Sequence, residues 1–422
     1  MEVKLAYGQG HLKVDLPDDI TTVIEPIHAL GVPDEKGAVL NALANPLSAK
    51  PLRDWIQPAS KICIAFTDIT RATPNDRIIP WVLEYLESNG VRRDQITLLN
   101  QLGTHRPNTE AELEKMLTPE VVRNYRVLNH EPENHAVMKQ FGVMHDGTPA
   151  LINKHLAEAD VRIITGFIEP HFFAGFSGGP KGIMPGCAAL ETVMSSHDAR
   201  NIGDPRSTFG ITTGNPIWEE IREVALRLGP SFLLNVTLNE ARAITGVFAG
   251  DLIEAHRTGY EFVRKSAMQK VKSPFEIVVT TNSGYPLDMN LYQGVKGMSA
   301  AARIVTERGT IILACECREG VPAGSPLDKL LREASSSAEV LTMLTTADFV
   351  RPEQWQAQIQ ALIQRRAEVL VYSSLPEETL RAAHLKPCED IAAAVREKLA
   401  HYGPTARVAV LPQGPLTIPY LA

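Results

Sequence analysis

No apolar run in this chain is long enough to span a bilayer. The N-terminal residues 1–10 lack the basic start and the apolar core of a signal peptide. Cysteine is scarce: five residues, an odd number scattered along 422, do not make a disulfide framework. The expectation is a reducing compartment, the cytoplasm, with no membrane. There is no basic excess either. A net charge of −7 and a pI near 6.0 argue against a general nucleic-acid binder. Internal repeats and low-complexity segments are absent. What remains, 44% hydrophobic and 22% charged, suits a globular protein long enough for two or three cores.

One stretch, residues 163–200, carries most of the information: IITGFIEPHFFAGFSGGPKGIMPGCAALETVMSSHDAR. The apolar run Val161 to Thr165 predicts a buried strand. It breaks into a loop with Gly175, Gly178, Gly179, Gly182 and Gly186, punctuated by Pro170, Pro180 and Pro185. A helix is predicted from Ala188 to about Ala199. His171 stands at the strand end, Lys181 in the loop, and His197 late in the helix. Glycine lets backbone approach a ligand and proline stiffens the loop, so a loop of this kind is read as functional.

The segments before it alternate. Lys61 to Thr67 (KICIAFT) predicts a buried strand, ending in Asp68-Ile69-Thr70-Arg71. A helix follows from about Asp76 to Ser88, with Gly90 as its stop. The strand Gln95 to Asn100 ends in Gly103-Thr104-His105-Arg106-Pro107, and Asn108 and Thr109 are good caps for the next helix. Strand, helix, strand, helix predicts a doubly wound α/β fold with a parallel sheet, in which ligands bind at the carboxyl ends of strands. Asp68, Arg71, His105 and His171 all fall just past strand ends, which points to one site built from three segments.

Residues 201–270 predict a strand pair (Phe232 to Asn239, Ala243 to Phe248) and a helix from Asp251 to about Lys270. Lys272 to Pro274 reads as a linker, after which the α/β pattern restarts at Phe275. The expected division is a larger N-terminal catalytic domain over 1–271 and a smaller, Rossmann-like C-terminal α/β domain over 275–404. A tail over 405–422 is expected to pack back on the N-terminal domain. The active site is expected in the cleft between the domains. In the second domain, residues 282–297 follow a strand and enter a helix, placing Tyr292, Gln293 and Lys296 near its start.

Blander readings compete. His130, His135, His145, His155, His256, His384 and His401 read as ordinary surface or core histidines. GFSGGPKG resembles a phosphate loop only loosely, because Gly182 replaces the Ser or Thr that would hold magnesium. Cys315 and Cys317, with no second pair nearby, read as buried strand cysteines. The remaining set has a chemical logic. Two imidazoles can act as acid and base on one carbon, and Arg with Lys can hold a carboxylate. A different class, a metal-dependent hydrolase or lyase with His105, His171 and His197 as ligands, fits the same residues, as does a non-catalytic cofactor-delivery protein.

The motifs GFIEPHFFAGFSGGPKGIMPG…SSHDA, DITRATP, GTHRP and LYQGVKG, in that family's order, resemble the nickel-dependent lactate racemase family over essentially the whole chain. The resemblance implies an isomerase: a racemase or epimerase of a 2-hydroxy carboxylate, acting by proton-coupled hydride transfer. Its implied cofactor is a nickel-pincer nucleotide, a pyridinium mononucleotide bearing a thioamide and a thiocarboxylate, attached to Lys181. His197 matches the nickel ligand, and His105 and His171 match the acid/base pair. Arg71, Gln293 and Lys296 match substrate-binding positions. Asp68, Ile69, Thr70 and Arg71, with Tyr292 and Trp355, match cofactor contacts. The implied partners are the substrate and the proteins that make and insert the cofactor.

Overall fold

A computed structural model describes residues 1–322, 324–346 and 349–421. The chain forms two compact α/β units that are not contiguous in sequence. One comprises His28–His197 and Arg206–Lys265; the other comprises Met1–Ile27, Asp198–Pro205 and Ser266–Ala422.

The first unit is built on a six-stranded sheet in the spatial order Ile244–Asp251, Phe232–Leu238, Val161–Phe167, Ile62–Phe66, Ile96–Asn100, Arg126–Asn129. All neighbours are parallel except the first pair. Ile62–Phe66 lies inside the sheet with every residue buried, which is why it reads as an unbroken apolar run rather than an alternation. The chain winds outward from it in one direction through Ile96–Asn100 and Arg126–Asn129. It then returns to its other side with Val161–Phe167, making the junction of Ile62–Phe66 and Val161–Phe167 the topological switch point. The helix Asn75–Ser88 buries Ile78, Ile79, Val82, Leu83 and Leu86 against this sheet. Thr109 caps Glu110–Leu117 through a capping box with Glu112.

The other unit also has a six-stranded sheet, wholly parallel: Lys386–Pro387, Glu368–Tyr372, Val305–Ala314, Phe275–Thr281, Val408–Leu411, Thr21–Val23. Its helices include Leu291–Ala302, Pro326–Glu333, Gln354–Arg366 and Ile391–Tyr402, continuing the α/β pattern expected to restart at Phe275.

The units differ from the division expected at residues 271–275. Residues 1–27 belong with the C-terminal segment, because Thr21–Val23 pairs with Val408–Leu411 and Val3, Leu5 and Val14 enter that core. The tail strand Ile418–Leu421 pairs with Met268–Val271, the last residues of the expected N-terminal domain, and both strands fall in the unit that holds the C-terminal segment. The helix expected over Ala188 to Ala199 is two helices, Leu190–Ser196 and Ala199–Gly203. Asp198 caps the second by accepting from the Asn201 amide at 2.6 Å, which breaks the first at His197. The helix Pro216–Arg227, capped by Asn215, was not expected. Cys315 and Cys317 are buried as expected, with their Sγ atoms 3.3 Å apart. Among the described residues no helix is long and apolar enough to cross a membrane.

Ile64 is fully buried in the strand that carries the site. Truncating it to Ala should cost about 2–5 kcal/mol through lost burial and an unfilled cavity. Urea unfolding measures this, and a change below about 1 kcal/mol would show that the site's strand is not held by this core.

Candidate active site

Three adjacent parallel strands at the switch point carry reactive side chains just past their carboxyl ends. Asp68 follows Ile62–Phe66, His105 follows Ile96–Asn100, and His171 follows Val161–Phe167. Asp68 is almost wholly buried. Its carboxylate accepts from His105 Nδ1 at 2.9 Å and from the Thr70 hydroxyl at 3.0 and 3.1 Å, and Arg71 Nε lies 3.7 Å away. Burial pushes this carboxyl up. The His105 ring, Arg71 and Thr70 outweigh that and bring it down to about 2. A carboxylate accepts only, so His105 carries hydrogen on Nδ1 and, when neutral, keeps its lone pair on Nε2. The Ile69 amide donates to Asn108 Oδ1 at 3.3 Å, tying the Asp68–Arg71 turn to the loop after His105.

His171 has the opposite arrangement. The Ala174 and Phe173 amides point at its Nδ1, at 3.2 and 3.5 Å. That nitrogen is therefore an acceptor, and the neutral ring carries its hydrogen on Nε2. The two candidate acid/base histidines thus stand in opposite tautomers, each set by its own backbone or carboxylate partner.

Phe173 gathers the other candidates. Its ring meets His171 edge-on at 4.5 Å and His197 at 5.0 Å, and Lys181 Nζ lies 5.5 Å from its centroid. His197 is the C-cap of Leu190–Ser196 and is buried. Burial, and then the charge of Lys181, lower its pKa to about 3, so its imidazole is neutral. Lys181 sits on a 3-10 turn, Gly179–Gly182. This loop tolerates little bulk. A Cβ at Gly182 would lie 2.3 Å from Gln101 Oε1, and one at Gly186 would lie 2.5 Å from the Gly182 carbonyl oxygen. The Gly103 amide donates to Gly186 O at 2.9 Å, linking the His105 loop to the Lys181 loop.

In the other unit, Asn290 caps Leu291–Ala302 by accepting from the Gln293 amide, so Tyr292, Gln293 and Lys296 lie in its first two turns. Trp355 Nε1 donates to the Tyr292 hydroxyl at 3.1 Å, and Gln356 donates to the Tyr292 carbonyl. Trp355 is buried on Gln354–Arg366. Tyr292 and Trp355 are thereby brought together.

The alternative three-histidine metal centre is not formed: among the described residues no three His, Cys, Asp or Glu side chains are grouped to hold a metal ion. Sequence reasoning missed two residues here. Asn235 Oδ1 accepts from the Gly179 amide at 2.7 Å, and His256 Nε2 donates to Ser177 O at 2.8 Å. A lone Asn inside the apolar strand FLLNVTL was the signal for the first. His256, within an amphipathic helix, gave none.

The fold and these groups define a two-unit α/β protein whose first unit presents a histidine pair, a loop lysine and a buried neutral imidazole. Residues 7–210 match the lactate racemase N-terminal domain, and residues 270–418 match the lactate racemase C-terminal domain. A lactate racemase of Thermoanaerobacterium thermosaccharolyticum is 32% identical over 98% of this chain and 97% of its own. A lactate racemase of Lactiplantibacillus plantarum is 34% identical over 90% of each. The lactate racemase apoprotein structure from T. thermosaccharolyticum has a TM-score of 0.93 at 31% identity, covering 99% of this chain and 100% of that one. A Thermotoga maritima protein shares the fold, with a TM-score of 0.71 at 20% identity over 93% of this chain and 100% of its own. The chain belongs to the lactate racemase family.

Buried histidines give the unit a defined acid response. Burial lowers His256 and His130 to about 4 each. Both groups are neutral in folded and unfolded chains above pH 6.5. Below it the unfolded chain binds protons that the folded chain does not, so stability is lost as pH falls from 6.5 towards 4. His256→Gln should flatten this loss by about 2 kcal/mol between pH 7 and pH 5 in urea unfolding. An unchanged slope would contradict a neutral buried His256.

Proposed function

We propose that the protein interconverts the enantiomers of a short 2-hydroxy acid, lactate or a close relative, as a cofactor-dependent isomerase. The observation that supports this most is the pairing of His105 and His171 in opposite tautomers beside Lys181 and His197. In the same reading Lys181 anchors a nickel-pincer nucleotide and His197 ligates its metal. These residues fit such a group, since a buried imidazole held neutral keeps a lone pair for a metal and Lys181 stands on a loop with little freedom to move. When bound, the nucleotide supplies the hydride acceptor and donor that no side chain here can be.

The chain's own residues handle protons and charge. His105 Nε2 takes the hydroxyl proton of one enantiomer as its C2 becomes a carbonyl carbon, and Asp68 stabilises the imidazolium that forms. The keto acid turns and recovers hydrogen at C2 from its other face. The neutral His171 presents its Nε2–H to the oxygen as the acid, and solvent restores that hydrogen as His105 releases its own to water. Arg71, Gln293 and Lys296 hold the carboxylate, which a cation or an amide N–H suits. Phe172 and Phe173, both buried, narrow the pocket towards a short substrate.

The test is a holoenzyme assay on lactate, malate, phenyllactate and gluconate, with lactamide as an uncharged control. His105→Ala and His171→Ala should each lower racemisation by at least ~100-fold with the fold intact. Deuterium at C2 should stay on the product. Lys296→Ala should weaken carboxylate binding by about 1.5–3 kcal/mol. Turnover of lactamide equal to lactate would remove the carboxylate clamp. Wash-out of the deuterium would replace hydride transfer by simple deprotonation.

A further inference from the structure

The loop that carries Lys181 is gripped from outside its own segment by two side chains with no assigned role. Asn235 lies in Phe232–Leu238 and is fully buried. Its Oδ1 takes the Gly179 amide hydrogen at 2.7 Å, and its own amide group donates to Leu234 O at 3.1 Å. His256 lies in Glu254–Ala267 and is also fully buried. Its Nε2 donates to Ser177 O at 2.8 Å, and its ring meets Tyr260 edge-on at 5.3 Å. Tyr260 in turn stacks on Phe176, the residue before Ser177, at 5.1 Å.

Gly179 is where the two grips converge. Its backbone is left-handed, at φ +57°, as is that of Gly178, at φ +75°. A Cβ on Gly179 would lie 2.3 Å from the His256 ring, and one on Gly178 would lie 2.4 Å from Asn235 Oδ1. The imidazole face therefore occupies the space that any larger residue at 179 would need. Two residues further on, Lys181 leaves the same turn. With its backbone hydrogen-bonded on both sides of Gly178 and packed at Gly179, the start of the turn has no other place to go.

The geometry points to Asn235 and His256 as positioning residues that fix Lys181 before any cofactor arrives. This inference rests on Lys181 being the attachment point. Neither side chain touches substrate; both act through the Ser177–Lys181 backbone. The clamp presents one amine orientation in the apoprotein, so attachment needs no ordering of the loop.

The experiment uses full-length apoprotein and an acetylating N-hydroxysuccinimide ester, with acetylation followed at each lysine by peptide mass spectrometry. His256→Phe keeps a ring against Gly179 but removes the donor to Ser177. Asn235→Ala removes the acceptor for Gly179. Each should raise the Lys181 acetylation rate at least ~5-fold and speed amide exchange across 179–183, while Lys61 and Lys272 stay within ~1.5-fold, because only local opening changes. His256→Gln keeps an N–H donor and should return Lys181 to the wild-type rate. If His256→Phe fails to fold, Asn235→Ala against His256→Gln makes the same comparison. Wild-type rates in both disruptive variants, or failure of His256→Gln to rescue, would overturn the clamp. In protein matured with its cofactor-assembly partners, the disruptive variants should also lose mass addition on the Lys181 peptide. No addition in the wild type would refute the attachment reading alone, and the apoprotein rates would still judge the clamp.

Discussion

A carboxylate nearly excluded from water is unstable unless cations and donors are brought to it, and Asp68 is such a group at the end of an interior strand. Its burial would raise its pKa. His105, Arg71 and Thr70 reverse that by converging on its two oxygens. This requirement places the site. It draws the loop after Ile96–Asn100 over the end of Ile62–Phe66, fixes which His105 nitrogen carries hydrogen, and sets Arg71 beside both. The switch point of the sheet opens the crevice; the buried charge decides which side chains line it.

The second constraint is steric. Residues 175–186 can follow their path only because glycine stands where a Cβ would strike protein. At Gly175 such an atom would lie 2.3 Å from the Ile211 carbonyl oxygen, and φ is +76°. A loop packed this closely has one conformation, and Phe173 uses that rigidity to hold His171, His197 and Lys181 around one ring. The low pKa of His197 follows from the same packing, since a dry imidazole beside a cationic lysine stays neutral.

Much of this was legible in the sequence. Apolar runs such as KICIAFT and FEIVVTT gave the interior strands, and Gly and Pro marked the loops at their carboxyl ends, which put Asp68, His105 and His171 just past strand ends, where the structure has them. Other features depend on partners distant in sequence. Nothing local says that Thr21–Val23 will pair beside Val408–Leu411, so residues 1–27 were assigned to the wrong unit. His197 reads as helical until Asp198 is seen capping the next helix, because one cap can end one helix and start another. The Pro216–Arg227 helix had a good cap and an amphipathic face and was missed all the same. Asn235 was visible as a polar residue in a buried run, whereas His256 becomes informative only once Gly179 is found against its ring.

Two histidines held in opposite protonation patterns by different partners stand at the centre of the site. Nitrogen-15 NMR of the ring nitrogens, on apoprotein at a pH where both rings are neutral, tests this most directly. His105 should carry hydrogen on Nδ1 with Nε2 bare, and His171 should carry it on Nε2 with Nδ1 bare. Asp68→Asn should abolish the preference at His105 and leave His171 unchanged. The same tautomer in both rings, or a His105 pattern indifferent to Asp68→Asn, would contradict the assignment of His105 as the resting base.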